Sequence, residues 1–319
     1  RGGLVVQGAV DDRRHSMLSR ARPISQTAID AFAHARSAAP LLGPDSYGRV
    51  GVLEVEAKSA LTLCRMPGEP WSLNPYTGCS HDCAYCYVPD VAHVERPRWG
   101  SYVVVKRNLP AVLAHEVRRK EPRPVLLSSA TDPYQPAEAD HLVTRRSLEV
   151  LARADWPVHV LTRSPLVKRD LGLFRRFTDL GVTLSVPTID DDARRLVEPS
   201  APPIEGRLRT LRRLADEGFA PAANLMPTYP PTNGLTADDV AATFADAGVA
   251  SVAGGAWRYL PSFEAEMRRR LGDDEAAEQF LARIRDEAAQ LRWFRALEGA
   301  FARRKVPFHA WYKRNYDGR

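Results

Sequence analysis

The sequence is poor in cysteine and has no long hydrophobic run. Only four of its 319 residues are cysteine, and no apolar stretch approaches the ~20 residues that a membrane-spanning helix needs. The first ten residues are too short and too weakly apolar for a signal peptide, and Asp11 and Asp12 argue against an acid-poor transit peptide. We therefore expect a cytoplasmic protein without a membrane partner. In that reducing compartment, cysteines that stand close together indicate metal or redox chemistry rather than structural disulfides.

The sequence also has few clusters of positive charge of the kind that binds nucleic acid. The formal net charge is +6, but most arginines are scattered along predicted helices, which is typical of a solvated surface. A nucleic-acid interface needs cations gathered on one face. The best cluster is the C-terminal tail, residues 301–319, where cations and aromatic residues are interleaved. Nucleic acid is therefore an alternative partner that the sequence does not favour.

Strands and helices alternate through the middle of the chain. Short apolar runs bounded by polar residues predict six strands, at residues 71–74, 124–132, 157–164, 182–188, 219–229 and 249–257. Segments with helical character lie among them, at residues 108–120, 141–155, 169–181, 204–218 and 236–248. Such alternation implies parallel strands joined by right-handed crossovers. It predicts an α/β fold, a partial (β/α)6 barrel of the TIM type, with an open doubly wound sheet as the alternative.

Several helix boundaries carry signals of their own. Asn108 is a candidate N-cap for the first helix, and Thr236 with Asp239 forms a variant of the capping box at the last one. Gly181 and Gly218 stand where helices are expected to end, because glycine favours the left-handed position after a helix.

Three regions follow from these patterns. Residues 1–50 show little apolar periodicity and predict a partly flexible N-terminal extension, with one helix near residues 27–39. The barrel is assigned to residues 51–262. Residues 263–319 are predicted to form a C-terminal helical extension, in which residues 273–305 have the apolar spacing of one long amphipathic helix. That helix either packs across the barrel or serves in dimerisation, and the basic aromatic tail follows it.

Three of the four cysteines lie within eight residues. Cys79, Cys83 and Cys86 have the spacing C-x3-C-x2-C, so three thiolates can reach one compact centre. A zinc site would need a fourth ligand, for which Cys64 and His81 are the candidates. A redox dithiol of Cys83 and Cys86 would leave Cys79 unexplained. A four-iron cluster held by three thiolates fits better, and it leaves one iron open to another molecule.

The residues around the cysteines resemble a known signature. Tyr85 precedes the last cysteine, and C-x3-C-x-aromatic-C is similar to the motif of the radical S-adenosylmethionine superfamily. Four stretches, "NPYTGCSHDCAYCY", "TDPYQPAE", "VLTRS" and "EPSAPPIEGRLRTLRRLADEG", together resemble its spore photoproduct lyase-like branch over residues 55–265. The resemblance implies that Cys79, Cys83 and Cys86 ligate a [4Fe-4S] cluster. It also implies that S-adenosylmethionine binds the fourth iron and that Tyr85 lies near the adenine.

Polar residues stand at the ends of the predicted strands. In parallel α/β barrels the site lies at the carboxyl ends of the strands. The residues that follow those ends here are Ser129, Thr131, Asp132, Thr162, Arg163, Ser164, Ser185, Thr188, Asn224, Met226, Trp257 and Arg258. Because loops are polar in any protein, part of this pattern needs no function. The strand ends nevertheless predict the site independently of the family resemblance.

Individual roles follow from the groups that S-adenosylmethionine presents. Asp132 is predicted to accept from its ammonium group, and Arg163 to bind its carboxylate through a two-pronged contact. Ser185 is expected to bond the carboxylate or the ribose, and Thr131 is assigned to the same site. The alternatives are a surface ion pair for Arg163 and a plain turn residue for Asp132. The aromatic residues expected to line the substrate pocket or pack in its core are Tyr134, Tyr229, Trp257 and Tyr259.

The chain also departs from the branch that it resembles. A true spore photoproduct lyase carries a hydrogen-donating cysteine where Ser128 and Ser129 stand here, and Cys64 is better read as a small apolar residue. Pro187 and the proline-rich "MPTYPPTNG" lie on the substrate side and indicate a rebuilt pocket.

The sequence therefore predicts an enzyme that cleaves S-adenosylmethionine reductively to a 5′-deoxyadenosyl radical. That radical would take hydrogen from a small organic substrate, with a nucleoside or nucleotide sugar of a natural-product pathway as the first guess. A flavodoxin or ferredoxin is the implied reductant. The alternatives are a nucleic-acid lyase or base-modifying enzyme and a zinc-binding module without catalytic activity.

Overall fold

The computed structural model describes residues 50–64, 70–257 and 260–311. Its strands are β1 (Gly51–Val55), β2 (Leu61–Leu63), β3 (Trp71–Leu73), β4 (Tyr76–Thr77), β5 (Tyr102–Lys106), β6 (Val125–Leu127), β7 (Val158–Thr162), β8 (Leu180–Ser185), β9 (Ala222–Leu225), β10 (Ser251–Gly254) and β11 (Phe308–Ala310). Its helices are α1 (Val88–Ala92), α2 (Leu109–Glu116), α3 (Glu138–His141), α4 (Val143–Arg153), α5 (Leu171–Phe174), α6 (Asp191–Val197), α7 (Ile204–Asp216), α8 (Ala237–Asp246), α9 (Leu260–Leu271), α10 (Glu275–Arg285) and α11 (Glu287–Arg303). None of the described helices is long and apolar enough to cross a bilayer. The predicted N-terminal helix, Arg258, Tyr259 and residues 312–319 lie outside the described residues.

The main sheet has the predicted parallel architecture. Its strand order is β11-β10-β9-β8-β7-β6-β3-β2, and the strands from β3 to β10 in that order pair in parallel. All six predicted strands are present, and the partial (β/α)6 barrel is confirmed. Two short strands extend it: β11 pairs in parallel with β10, and β2 pairs antiparallel with β3.

Amphipathic helices cover the outside of this sheet. In α7, Ile204, Leu211 and Leu214 are buried while the arginines of the opposite face reach solvent. Full burial of each such side chain contributes about 1.5–3 kcal/mol. The helix ends as predicted, because Gly218 has a φ of +84°, in the left-handed region. The capping box of Thr236 and Asp239 at the start of α8 is also present.

A second, smaller sheet was not predicted. It has the order β1-β5-β4, and Val103, Val104 and Val105 of β5 are buried. This sheet supports the start of the cysteine run. Gly78 has a φ of +83°, and a Cβ atom there would lie 2.5 Å from the carbonyl oxygen of Tyr102. Only glycine therefore lets the chain pass β5 and turn toward Cys79.

Two of the predicted helix boundaries were wrong. Asn108 precedes α2 but makes no capping bond, because its side chain bonds the backbone N–H and carbonyl of Ala57 instead. Gly181 lies inside β8, paired with His159, rather than at a helix end. The segment predicted as one helix, residues 169–181, begins in the last two residues of a 3₁₀ helix, Pro165–Asp170, contains the single-turn helix α5, and ends in β8.

The prediction of one continuous helix over residues 273–305 was wrong. Asp286 separates α10 from α11, with ψ at 88°, and its carboxylate accepts from the N–H of Ala289 to cap the second helix. A further helix, α9, precedes them and was not predicted. The apolar stripe therefore serves two helices: Phe280 and Ile284 are buried from α10, and Phe294 from α11. The rings of Phe301 in α11 and Phe244 in α8 are 6.1 Å apart, so α11 packs on the barrel as expected.

Candidate active site

The three clustered cysteines lie at the carboxyl end of β3, as the strand-end rule predicts. Cys79 and Cys83 are buried and Cys86 is half-buried. Burial raises the pKa of each of the three thiols to about 12. Three adjacent thiols in this environment become thiolates only when positive charge faces them. Within the described ranges, no three or more His, Cys, Asp or Glu side chains are arranged to hold a single metal ion.

Gln135 holds the backbone on both sides of Cys79. Its buried side-chain amide accepts from the N–H of Ser80 at 3.0 Å and donates to the carbonyl of Gly78 at 3.3 Å. Thr131 donates to the same Gly78 carbonyl at 2.6 Å and accepts from Gln135 at 3.0 Å. Thr131, predicted as a cofactor residue, therefore contacts the cysteine loop in this structure, and Gln135 is a supporting residue that the sequence did not reveal.

Asn74 organises the turn that follows β6. Its side-chain oxygen accepts from the N–H groups of Ser129 and Ala130, at 3.1 and 2.9 Å. The turn places Ser128 at a φ of +72°, a conformation that non-glycine residues seldom adopt. Ser128 is buried, and its hydroxyl has no hydrogen-bond partner among the described residues.

Asp132 joins three parts of the site. Its carboxylate accepts from the Thr162 hydroxyl at 2.6 Å, from the Arg163 N–H at 2.9 Å and from the Tyr134 N–H at 2.9 Å. His81 Nε2 lies 3.4 Å from Asp132 Oδ2. Burial alone would raise the pKa of Asp132, but the interactions with His81, Thr162 and Arg163 lower it to about 2. Asp132 is therefore ionised and bound to groups of the protein itself.

Arg163 lies at the centre of the site. Its Nη1 is 2.9 Å from the sulfur of Cys83, 3.0 Å from the Tyr85 hydroxyl and 2.9 Å from Glu198 Oε1. The structure thus brings together three residues that the sequence predicted: Cys83, Tyr85 and Arg163. The alternative of an ion pair is half right, because Arg163 does pair with a carboxylate, but Glu198 is fully buried rather than on the surface.

Glu198 and Arg207 are site residues that the sequence reasoning missed. The Tyr85 hydroxyl donates to Glu198 Oε1, and Arg207 Nη2 donates to Oε2 at 2.6 Å. Arg207 is fully buried and also donates to the carbonyl of Ser185 at 3.1 Å. Ser185 itself ends β8 where it was predicted, beside this network. The only available signal was that both residues belong to the stretch "EPSAPPIEGRLRTLRRLADEG".

An aromatic wall borders Tyr85. Its ring lies 6.3 Å from that of Tyr229 and 5.8 Å from that of Trp257, and the last two are 5.3 Å apart. Trp293 of α11 donates to the carbonyl of Tyr229 at 3.0 Å, so the C-terminal extension holds the proline-rich loop. Tyr229 and Trp257 stay candidates for the pocket.

Tyr134 does not join this wall. Its hydroxyl donates at 3.0 Å to Asp170, and Arg169 pairs with both Asp170 and Glu138. Glu138 is fully buried and also accepts from the Tyr76 hydroxyl. This second network of paired charges lies behind the turn that carries Asp132, and it explains Tyr134 as a structural residue.

Several buried polar atoms near the strand ends have no partner among the described residues. They are the hydroxyls of Ser128 and Tyr229, the side-chain oxygen of Asn224 and Nδ1 of His81. An unpaired buried polar group costs about 1–3 kcal/mol. A bound molecule with an ammonium, a carboxylate and a ribose would satisfy such groups, so the residues fit S-adenosylmethionine, just as three thiols with a facing cation fit an iron–sulfur cluster.

The C-terminal extension forms hydrogen bonds to the cysteine loop. Arg270 of α9 donates to the carbonyl of Asp82 at 3.0 Å and to its carboxylate at 2.7 Å. Asp82 lies directly before Cys83 and has a φ of +49°, so its conformation needs outside support. Glu266, itself buried, holds Arg270 from the same helix.

Replacing Arg270 by methionine is expected to shorten the lifetime of any bound cluster several-fold, because Asp82 loses both contacts while the apolar part of the side chain is kept. The measurement is the decay of visible absorbance after anaerobic loading with iron and sulfide. Arg268→Met is the matched control, since Arg268 lies on the same helix and pairs with Glu278 on the surface. Equal rates of cluster decay in both variants would show that the contacts of Arg270 with Asp82 do not stabilise the cluster.

Cys64 lies at the other end of β3 from the three clustered cysteines. It follows β2, whose antiparallel register sets Leu63 opposite Trp71 at the start of β3. The other cysteines follow the opposite end of β3. Cys64 is half-buried rather than fully buried, which corrects the expectation of a buried apolar residue.

Comparison with known proteins gives a consistent result. The model of the radical SAM superfamily matches residues 73–247, more than half of the chain. An uncharacterized protein of Methanocaldococcus jannaschii is 31% identical over 184 residues, covering 57% of this chain and 69% of that protein. An uncharacterized protein of Mycobacterium tuberculosis is 32% identical over 191 residues, or 56% of each chain.

Solved structures show the same fold. Spore photoproduct lyase complexed with dinucleoside spore photoproduct superposes with a TM-score of 0.62 at 15% identity, and the match covers 82% of each chain. A mutant of spore photoproduct lyase with bound AdoMet and the same dinucleoside gives a TM-score of 0.60 at 14% identity, again with 82% of each chain covered. At these identities the likeness concerns the fold.

Proposed function

This chain belongs to the radical SAM superfamily, and on that premise we propose that Cys79, Cys83 and Cys86 hold a [4Fe-4S] cluster to which S-adenosylmethionine binds. It is an enzyme of that class, whose members need a reductant and a substrate. When bound, the two cofactors supply a 5′-deoxyadenosyl radical that takes hydrogen from a substrate carbon. The observation that supports this assignment best is the contact of Arg163 with both Cys83 and Tyr85.

The residues of the chain divide between binding and support. We assign Arg163 to the carboxylate of S-adenosylmethionine, because a guanidinium has donors beyond those on Nη1. Ser185 lies at the neighbouring strand end, and the unpaired oxygens of Ser128 and Asn224 suit the ammonium and the ribose. Tyr85 is assigned to the adenine side.

Asp132 and Thr131 are better assigned to positioning than to direct contact. The carboxylate of Asp132 already accepts three hydrogen bonds from the protein and has His81 beside it. The hydroxyl of Thr131 bonds Gly78 and Gln135. Both residues therefore hold the loops that carry Cys79 and Arg163, which is how they act on the cofactor.

The substrate that we propose is a small organic molecule with a planar group, such as a nucleoside or nucleotide sugar. The wall of Tyr85, Tyr229 and Trp257 supports this, because aromatic faces stack on planar rings. Ser128 and Ser129 stand where spore photoproduct lyase would carry its hydrogen-donating thiol, and Cys64 lies at the other end of β3. Both facts favour a small substrate over the repair of a thymine dimer. We further propose a cytoplasmic enzyme of a biosynthetic pathway, reduced by a flavodoxin or ferredoxin.

The experiment is anaerobic turnover. The protein is loaded with iron and sulfide, reduced, and supplied with S-adenosylmethionine, and 5′-deoxyadenosine is measured by mass spectrometry with and without candidate nucleosides. We expect 5′-deoxyadenosine, with more product and deuterium transfer when a labelled substrate fits. Stimulation by DNA that falls with salt would favour the nucleic-acid alternative instead. Zinc in place of iron would overturn the assignment.

A further inference from the structure

Glu198 is a carboxylate that lies between two arginines beside Cys83. Arg163 reaches its Oε1 at 2.9 Å and Arg207 its Oε2 at 2.6 Å. The trio of Arg163, Glu198 and Arg207 carries two positive charges and one negative charge. That surplus faces the sulfur of Cys83, where Arg163 Nη1 is 2.9 Å away. Buried charges are tolerated when they are paired, so the trio is complete only with an anion at Cys83.

Arg207 fixes the trio in the fold. It is fully buried, and its Nε and Nη1 donate to the carbonyls of Pro202 and Ser185 at 2.9 and 3.1 Å. Its remaining nitrogen holds Glu198, whose other oxygen holds Arg163. The Tyr85 hydroxyl adds a further bond to Glu198. The place of the guanidinium on Cys83 is therefore set by a chain of contacts that starts at the backbone of β8.

We propose that Glu198 is a positioning residue that, fixed by Arg207, holds Arg163 on the Cys83 sulfur and sets the reduction potential of the cluster. This inference rests on the proposed function. The reduced cluster carries one more negative charge than the oxidised one, so hydrogen bonds and positive charge at a ligand sulfur favour reduction. Arg163 raises the potential, and the negative charge of Glu198 moderates that effect.

The test is a measurement of the midpoint potential of the cluster in the absence of S-adenosylmethionine. Electron paramagnetic resonance monitors the reduced cluster during the titration. Glu198→Gln removes the negative charge. Its amide oxygen can still accept from Arg163 and the Tyr85 hydroxyl, while the bond from Arg207 is lost, because the amide nitrogen is a donor. We expect this variant to shift the reduction equilibrium at least tenfold toward the reduced cluster, which is about 59 mV for one electron. Arg163→Met removes the donor and its charge, and we expect a shift of similar size in the opposite direction.

The matched control is Glu138→Gln. Glu138 is also fully buried and also accepts from a tyrosine and an arginine, Tyr76 and Arg169. This substitution tests whether the loss of a buried, hydrogen-bonded carboxylate elsewhere in the fold changes the midpoint potential, and we expect no shift. If Glu198→Gln does not fold, the same change in the Arg163→Met background tests the same charge and should raise the potential of that variant.

The outcomes separate this inference from the proposed function. Opposite shifts for Glu198 and Arg163, with none for Glu138, support it. No shift in either variant, or a rise in both, overturns it while the cluster stands. A fall in both overturns the moderating charge effect of Glu198 and leaves only its hold on Arg163. If the unaltered protein assembles no cluster, judged by its iron and sulfide content, the proposed function fails and this inference fails with it.

Discussion

A variant with alanine in place of Cys79, Cys83 and Cys86 should hold no iron–sulfur cluster and form no 5′-deoxyadenosine. The three thiols follow the carboxyl end of β3, and among the described residues no other cysteine lies at that end to replace them as soft iron ligands. The loss should be complete, from about four iron atoms per chain in the loaded protein to background. Iron and sulfide analysis and mass spectrometry of the product measure it.

Cys64→Ala is the matched control for that variant. It also removes a thiol, but from the opposite end of β3, and we expect full iron content and unchanged product. A triple variant that retained iron and activity would contradict the cluster assignment. Loss of activity in Cys64→Ala with full iron content would reveal a catalytic thiol that the geometry does not suggest.

The cysteine centre was predictable because its information is local. Cys79, Cys83 and Cys86 lie within eight residues, and the strand that precedes them is recognisable by its apolar run. The strand-end rule then placed Arg163 and Ser185 at the same edge of the sheet, since parallel strands present their carboxyl ends together. The structure has all of them at that edge.

The partners of Arg163 were not predictable by the same reasoning. The chain has 45 lysines and arginines, and nothing in the composition distinguishes Arg207 from the arginines that point to solvent on α7. Its burial follows from the packing of α7 against β8, where it reaches the Ser185 carbonyl, and that packing is a tertiary property. Glu198 likewise follows α6, where a charged residue usually caps or faces solvent, yet here the turn carries it inward.

The C-terminal error has a different cause. Helical periodicity continues smoothly across Asp286, so the apolar stripe alone predicts one helix. Asp286 is a good N-cap residue, and its carboxylate bond to the N–H of Ala289 lets a new helix begin. Before the break, α9 and α10 pack on the aromatic wall, with Phe263 and Phe280 against Trp257. This arrangement brings Arg270 to the cysteine loop.

Replacing Arg163 by alanine should weaken the binding of S-adenosylmethionine by roughly 10- to 100-fold. A hydrogen bond to a charged group contributes about 1.5–3 kcal/mol, and each 1.4 kcal/mol corresponds to tenfold in affinity. The fold should survive, because Glu198 keeps Arg207 and Tyr85 as partners when Arg163 is lost. Equilibrium dialysis of the cluster-loaded protein under anaerobic conditions gives the dissociation constant.

Two further variants make this result specific. Arg163→Lys keeps the charge but has no planar fork, so it should lose less affinity than alanine. Arg175→Ala removes a surface arginine that pairs with Glu217, and its affinity should not change. An Arg163→Ala protein with unaltered affinity and full iron content would take Arg163 out of the binding site. Its contact with Cys83 would then be its only link to the chemistry, and the reduction potential would be the property that it controls.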